Sequence, residues 1–482
     1  MDETIVIDAA GSTSPFPHFW EHMFGSCHAS VTLCEDWRND LRTLKEIVDV
    51  KYVRFHGIFE RNVGIYDHED EDGNLVLNFT RLDLIYDGLL RNGVRPFVEL
   101  SFMPKGLAAK EAVHPFWYHP IVSPPKDWKK WYQFIYRFAQ HLVERYGLAE
   151  VADWYFEVWN EPNLDFWAGN PTEQTYYELY KVTANALKAV SPLLRVGGPA
   201  TAQAAWVDRF IHYCSENKVP VDYVSTHVYP DDTSLNVFGT EKKIPRSEMV
   251  ALAVRKVYEQ VKASANPELP IIFSEYNAGL SKGILDTPYV GAWLANNIRQ
   301  CTGGLVAEMS YWTFTDAFFE EGGVFKSPFQ DGFGLIATGS IPKAAYYAFK
   351  ALSRLGDQQL SLNNSSALAT RNSANNSVVA AVWNCVPQEE AGSDRAFQIQ
   401  LKGAPHTKYA RVYLVDGDHG SPLKEWEGMG SAAFPTAEQR AKLRRHAAET
   451  FAAGVYVIDK DPTALTLTLK PSALAVIEFC QS

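Results

Sequence analysis

Between residues 19 and 355, short apolar runs alternate with amphipathic helical patterns. Strand-like runs fall at 19–25, 51–56, 94–101, 152–160, 194–198, 221–228, 270–275 and 305–314. Helical patterns fall between and after them, at 36–49, 80–92, 126–146, 173–190, 204–217, 247–264, 288–302 and 342–355. Parallel strands need a crossover, and eight strand–helix units in succession predict a (β/α)₈ TIM barrel over 16–355. A doubly wound open sheet needs fewer units and carries a glycine-rich phosphate turn, whose spacing Gly25-Ser26-Cys27-His28 lacks. After residue 356 the period shortens to two, as in Ser377–Trp383, Phe397–Leu401, Ala410–Leu414 and Ala473–Phe479. This predicts an antiparallel β-sandwich over 356–482. The early strand Glu3–Asp8, within residues 1–15, is expected to join it, having no other sheet to pair with.

A barrel of this kind gathers its active residues at the carboxyl ends of its strands. Those ends are polar here: Arg54 and His56 on strand two, Glu99 on three, Asn160 and Glu161 on four, His227 and Tyr229 on six, Glu275 on seven, Trp312 on eight. Trp154–Asn163 is an aromatic and apolar run that ends in Asn160 and Glu161, where Pro162 removes a ladder donor. A carboxylate at the mouth of a buried strand is expected to have a raised pKa, from apolar walls and from the like charge of Glu275. Pro270–Asn277 is a second apolar strand ending in a carboxylate, Glu275, across the barrel from the first. Two carboxyl groups flanking one bond are the apparatus of glycoside hydrolysis. A separation of about 5–5.5 Å gives retention of configuration, and about 6.5–9.5 Å gives inversion.

Other charged residues read as structural. Glu157 shares the parity of Glu161, and a buried pair with Arg54 would brace the strand. Glu99 is expected to play a similar part. His56 and His227 have no third ligand at a metal-binding spacing, so no metal is expected.

Aromatic residues make up 13% of the chain, suiting the apolar faces of sugar rings. The formal net charge is −12 and the basic runs are short, which argues against nucleic acid and anionic membrane partners. The cluster Lys442, Arg444, Arg445, His446 reads as a solvated helix face. No signal-like segment opens the chain and no stretch reaches membrane-spanning length. Six cysteines without CxxC spacing suggest free thiols in a reducing compartment, so a cytoplasmic location is expected. The sequence leaves the oligomeric state open.

Trp154–Asn163 and Phe273–Asn277 resemble the acid/base and nucleophile motifs of clan A retaining glycosidases. Together with Tyr52–Gly57, Arg95–Pro104, Val196–Ala200, Ser225–Tyr229 and Ser310–Phe314, they make the chain similar to the β-xylosidases of glycoside hydrolase family thirty-nine. The resemblance covers the barrel and runs into the sandwich. It implies Glu161 as acid/base, Glu275 as nucleophile and Asn160 on the sugar 2-hydroxyl. Tyr229 would donate to the nucleophile, His227 would reach the acid/base side, and His56 would contact deeper hydroxyls. Phe116, Phe166 and Trp312 would form apolar walls, and Glu320 or Glu321 would hold the remaining hydroxyls. Glu60-Arg61 departs from the acidic residues expected in that loop. The implied activity is a retaining exo-β-1,4-xylosidase acting on xylo-oligosaccharides without a cofactor. An α-L-iduronidase-like enzyme is the nearest alternative, but its substrate carries a carboxylate for which no arginine or lysine can be assigned. Arabinosidase activity is another, and a non-catalytic carbohydrate-binding barrel is a third, against which the paired carboxylates argue.

Overall fold

The computed structural model describes residues 3–280, 283–404, 407–458 and 463–480. Eight parallel strands close into a barrel in sequence order: Met23–His28, Tyr52–His56, Arg95–Glu99, Tyr155–Glu157, Arg195–Thr201, Tyr223–Val228, Ile271–Tyr276 and Glu308–Tyr311. Helices Glu35–Lys45, Thr80–Arg91, Trp128–Tyr146, Thr172–Val190, Val207–Glu216, Arg246–Lys262, Tyr289–Gln300 and Ala344–Leu352 follow the successive strands. The longer ones are amphipathic; Trp131, Phe134, Ile135, Phe138 and Leu142 recur at helical spacing and bury one face of the third.

The barrel interior is layered by the two-residue period of its strands. Met23, Phe97, Tyr223 and Ile272 form an apolar floor, with Tyr52 and Tyr155 packed on it. Two residues further along, the interior positions become polar: Arg54 after Tyr52, Glu99 after Phe97, Glu157 after Tyr155, Ser274 after Ile272. The same alternation that fills the floor therefore delivers a charged layer just below the mouth.

Three strands differ from the sequence expectation, and the eighth, expected over 305–314, spans only Glu308–Tyr311 so that Trp312 lies just past its end. The first begins at Met23, because Phe16, Phe19 and Trp20 form a buried aromatic turn whose apolar run mimics a strand. The fourth ends at Glu157, so Asn160 and Glu161 lie beyond the ladder. Trp159 and Glu161 there adopt left-handed backbone, with φ of 74° and 43°.

A seven-stranded and a three-stranded sheet pack against the barrel's side as the second layer structure. Ile5, Ile7, Phe397, Ile399, Leu465 and Leu467 of the smaller sheet meet Ala380, Val382, Val412 and Ile477 of the larger in one apolar core. Glu3–Asp8 runs parallel to Arg395–Lys402, which makes one pair of the sandwich parallel where the rest are antiparallel. Lys442, Arg444 and Arg445 are exposed on the helix Ala437–Phe451, whose Leu443, Ala447 and Phe451 are buried. All six cysteines are free. Among the described residues, no helix is long and apolar enough to cross a membrane.

Candidate active site

Arg54 stands at the centre of the charged layer and is fully buried. Its Nε donates to Glu157 Oε2 at 2.7 Å, and one terminal nitrogen donates to Glu275 Oε1 at 2.6 Å. The other terminal nitrogen donates to Asn160 Oδ1 at 3.0 Å and pairs with Glu99 Oε2 at 2.8 Å. An arginine fork can serve several acceptors at once, which a point-charge lysine cannot. Burial pushes Glu157 up, but Arg54, His227 and the Ser274 hydroxyl together hold the carboxyl below its usual value. Glu99 is pushed up to about 8 by burial, with Arg54 opposing. Arg54 is thus more than the strand brace expected, since it also holds Glu275 and Asn160.

Glu275 owes its aim to a β-bulge. Across strands six and seven, Thr226 and His227 are consecutive while their partners are Phe273 and Glu275, so Ser274 is an extra residue. Ile272 and Ser274 keep the inward parity, and the bulge turns Glu275 to the mouth as well. Its second oxygen, Oε2, accepts from Tyr229 Oη at 2.8 Å. With Arg54 on one oxygen and Tyr229 on the other, the carboxylate is fixed as an acceptor facing the cavity.

Glu161 is placed by its backbone, whose amide donates to the Ala200 carbonyl at 2.7 Å. Burial pushes its carboxyl up to about 7, against the opposing charge of Arg54. The like charges that add to the rise are Glu99, Asp165 and Glu157. Glu275, expected to be that charge, is instead matched by Arg54.

Ser274 Oγ donates to Glu157 Oε1 at 2.5 Å and lies 3.1 Å from His227 Nε2, which a terminal nitrogen of Arg54, a donor only, also faces at 3.4 Å. His227 Nδ1 lies 3.0 Å from Glu161 Oε1. Burial lowers the pKa of the imidazole. A neutral ring beside Glu161 leaves one proton for this contact, carried either by Nδ1 or by the Glu161 carboxyl.

His56 is held by Glu99 at Nδ1, at 2.7 Å, which turns Nε2 to the cavity. Burial lowers its pKa to about 3, so it is neutral. Its Nε2 lies 3.8 Å from Glu275 Oε1 and 3.9 Å from Glu320 Oε2. Trp312 walls the site, with its ring centroid 4.5 Å from that of His56, and Gly25 makes room for it. A Cβ on Gly25 would lie 2.2 Å from the indole. Phe116 and Phe166 pack on one another at 5.3 Å and lie 6.3 and 6.4 Å from His56. Of the two candidates in the last loop, Glu320 is buried and faces His56, while Glu321 is exposed. Asn160 gives its amide oxygen to Arg54, which leaves its NH₂ as the group free to meet a hydroxyl.

Glu161, His227 and Glu275 also present one ligand atom each within 4.8 Å of one another. His227 therefore has spatial neighbours that linear spacing did not show. The Arg54 guanidinium already supplies the positive charge beside Glu275, which disfavours a second cation there. For chemistry the more telling consequence is that the two carboxylates approach within 4.8 Å across the cavity.

Comparison with known proteins agrees with this geometry. The family model described as glycosyl hydrolases family 39 matches residues 3–457. The chain belongs to glycosyl hydrolase family 39. A β-xylosidase of Caldicellulosiruptor saccharolyticus is 38% identical over 88% of this chain and 87% of its own length. One from Geobacillus stearothermophilus is 35% identical over 87% of this chain and 84% of its own. The crystal structure of a monomeric β-xylosidase from Caulobacter crescentus CB15 superposes with a TM-score of 0.88 at 32% identity, covering 99% of both chains. The family 39 chain is thus a glycoside hydrolase with a TIM barrel and a β-sandwich.

Sequence reasoning missed three participants in this family 39 site. Ser274 was hidden because parity assigns either it or Glu275 to the interior, and only a bulge admits both. Tyr118 donates to Glu320 Oε1 at 3.3 Å, and His28 packs its ring 4.2 Å from Tyr118. Both sit on long loops or strand ends whose partners are distant in sequence; His28, two residues past Ser26 at the end of a barrel strand, carried the only usable signal.

Proposed function

We propose that the protein is a retaining exo-β-1,4-xylosidase that releases xylose from the non-reducing end of xylo-oligosaccharides. The observation that carries this is the pair Glu161 and Glu275, whose oxygens approach within 4.8 Å. That spacing supports direct attack, since inversion needs about 6.5–9.5 Å to admit a water between the carboxyls. Glu275, oriented by Arg54 and Tyr229, attacks the anomeric carbon, while Glu161 gives its proton to the leaving oxygen. Once the aglycone departs, Glu161 is a base and takes a proton from water, which attacks the glycosyl–Glu275 ester from the same side. The roles exchange because one residue serves both half-reactions. Asn160 meets the 2-hydroxyl, His56 and Glu320 meet the hydroxyls at the far end of the ring, and Trp312, Phe116 and Phe166 supply the apolar walls.

Xylose fits better than a sugar bearing a C5 carboxylate. Arg54 is already held by Glu99, Glu157 and Glu275. Each of its three nitrogens is engaged, so none is left over for a substrate carboxylate. The free cysteines support a reducing, cytoplasmic setting. A panel of aryl glycosides with NMR of the first-formed anomer tests the proposal. The expected result is β-xyloside turnover with β-xylose appearing first; α-xylose as first product would overturn it.

A further inference from the structure

The loop after the third barrel strand folds back on itself as a hairpin. Val113 bridges Ile121, the His114 amide donates to the Pro120 carbonyl at 3.0 Å, and the His119 amide closes the tip onto the Phe116 carbonyl at 2.8 Å. The tip presents Trp117 and Tyr118 to the loop after strand eight. The Trp117 amide donates to the Glu320 carbonyl at 2.6 Å, and Tyr118 Oη donates to Glu320 Oε1 at 3.3 Å. Backbone and side chain of Glu320 are therefore both tied to one hairpin tip. Ring contacts fix Tyr118 further, at 4.2 Å from His28 and 5.8 Å from Phe116.

Tyr118 separates two spaces. On one side lies the site, reached from Glu275 Oε1 through His56 Nε2 at 3.8 Å and on to Glu320 Oε2 at 3.9 Å. On the other side lies a groove of about 980 Å³ between the loops after strands two and three. Tyr118 lines it together with Trp117, Glu60, Asn62 and Tyr66. This is the upper end of the range of about 300–1,000 Å³ typical of ligand pockets. Trp117 is 59% exposed and, with Tyr66, offers the aromatic faces on which sugar rings stack.

We propose that Tyr118 is the stop that limits the glycone to a single pyranose, and that the groove behind it is space it denies to the chain. A ring held at its anomeric carbon by Glu275 and at its 2-hydroxyl by Asn160 directs its 4-hydroxyl away from the nucleophile, toward Glu320. A longer glycone would have to continue through Tyr118. The residue is suited to a wall, because its side chain has two torsions and is pinned by Glu320, His28 and Phe116. It acts on which substrate enters and touches no reacting atom, so it is a specificity-determining residue.

The inference rests on the xylosidase reading, and the experiment keeps the two apart. Wild type, Tyr118→Ala and Tyr118→Phe are assayed on an aryl β-xylobioside, with the first-formed sugar followed chromatographically at initial rate. Wild type is expected to release xylose first, leaving an aryl xyloside. Tyr118→Ala opens the wall and is expected to release xylobiose directly, raising the xylobiose-to-xylose ratio at least tenfold. Tyr118→Phe keeps the ring, loses the bond to Glu320, and is expected to keep the wild-type ratio. Xylose alone from Tyr118→Ala would overturn the proposal, and so would an equal rise from Tyr118→Phe, which would put the effect in the Glu320 bond. If Tyr118→Ala does not fold by circular dichroism, Tyr118→Val shortens the same wall and is read the same way. A wild type inactive on aryl β-xylosides would overturn the xylosidase reading; an active wild type with a xylose-only Tyr118→Ala would overturn the stop alone.

Discussion

Arg54 and Lys343 are both fully buried cations flanked by carboxylates, and they put the same interaction to opposite uses. Lys343 pairs with Asp286 at 2.8 Å and Asp316 at 2.9 Å, and donates to the Gly332 carbonyl at 2.7 Å. Backbone amides join the cluster: Asp286 accepts from the Asp331 amide at 2.6 Å, Asp316 from the Gly334 amide at 2.7 Å. The cluster fastens the loop after strand seven to the loop after strand eight. Arg54 holds Glu157 in the same manner, but its other arm reaches Glu275, whose second oxygen is held by the Tyr229 hydroxyl and no backbone amide. What distinguishes the two clusters is the company of the anion: loop backbone at Asp286 and Asp316, and at Glu275 side chains gathered from the ends of other barrel strands, His56 and Glu161 among them. Charge and burial are alike in both.

The sharpest way to break the Arg54 side is Glu275→Ala. Without a nucleophile the first displacement has no acceptor, and kcat on an aryl β-xyloside should fall on the order of 10⁵-fold or more, as losses of covalent catalytic residues do. Arg54 keeps Glu157 and Glu99, so the variant should fold. Retention of more than a hundredth of wild-type kcat would remove Glu275 from the nucleophile's role.

Glu161→Ala comes next. For poor leaving groups kcat/KM should drop about 10²–10⁴-fold, the usual worth of a positioned general acid. Activated aryl leaving groups, which need no proton, should lose much less. The pH profile carries an independent sign. Glu161 must be protonated to act as acid, and burial places its pKa at about 7. Activity of the wild type should therefore fall as pH rises through about 7, and Glu161→Ala should lack that alkaline limb. Equal losses for good and poor leaving groups would exclude Glu161 as the acid.

The distribution of what could be read in advance follows from the same geometry. Positions governed by strand period were legible: Tyr52, Arg54 and His56 step up one strand from floor to mouth, and the apolar run before Glu275 marks its strand without coordinates. Positions governed by a break in that period were not. Strand four stops at Glu157, and left-handed backbone at Trp159 and Glu161, not strand parity, places Glu161. On strand seven the bulge brings in Ser274 beside Glu275. Contacts between loops were illegible for a different reason. Trp117 and Tyr118 meet Glu320 across some two hundred residues, and no local propensity encodes which of Glu320 and Glu321 turns inward. Gly25 was visible as a glycine, but that the Trp312 indole occupies the space of its missing side chain depends on closing the barrel.

On the Lys343 side, Lys343→Met should cost stability and leave the chemistry alone. Removing one partner of a buried pair strands the carboxylates of Asp286 and Asp316, at about 3–5 kcal/mol. The check is a shift of the urea midpoint alongside kcat/KM measured where the variant is folded. A fall in kcat/KM beyond about tenfold, equivalent to about 1.4 kcal/mol of barrier, would mean that the two clusters are not separable in function.

Ser274→Ala tests the joint between the Glu157 and Glu275 arms of the Arg54 cluster, with the smallest effect. The hydroxyl donates to Glu157 and lies 3.1 Å from His227 Nε2, so its loss removes a partner from a buried carboxylate oxygen, at about 1–3 kcal/mol of stability. The informative change is in the pH profile. With Ser274 gone, the Arg54 nitrogen at 3.4 Å is the group left facing His227 Nε2, and a donor there favours the ring proton on Nδ1. Nδ1–H would donate to Glu161 Oε1, a bond that favours the ionised carboxylate and lowers its pKa. The alkaline limb should therefore move to lower pH in Ser274→Ala while the leaving-group dependence stays as in wild type. An alkaline limb that does not move would show that the Glu161 proton is set by burial alone, and that Ser274 belongs with the structural half of the cluster.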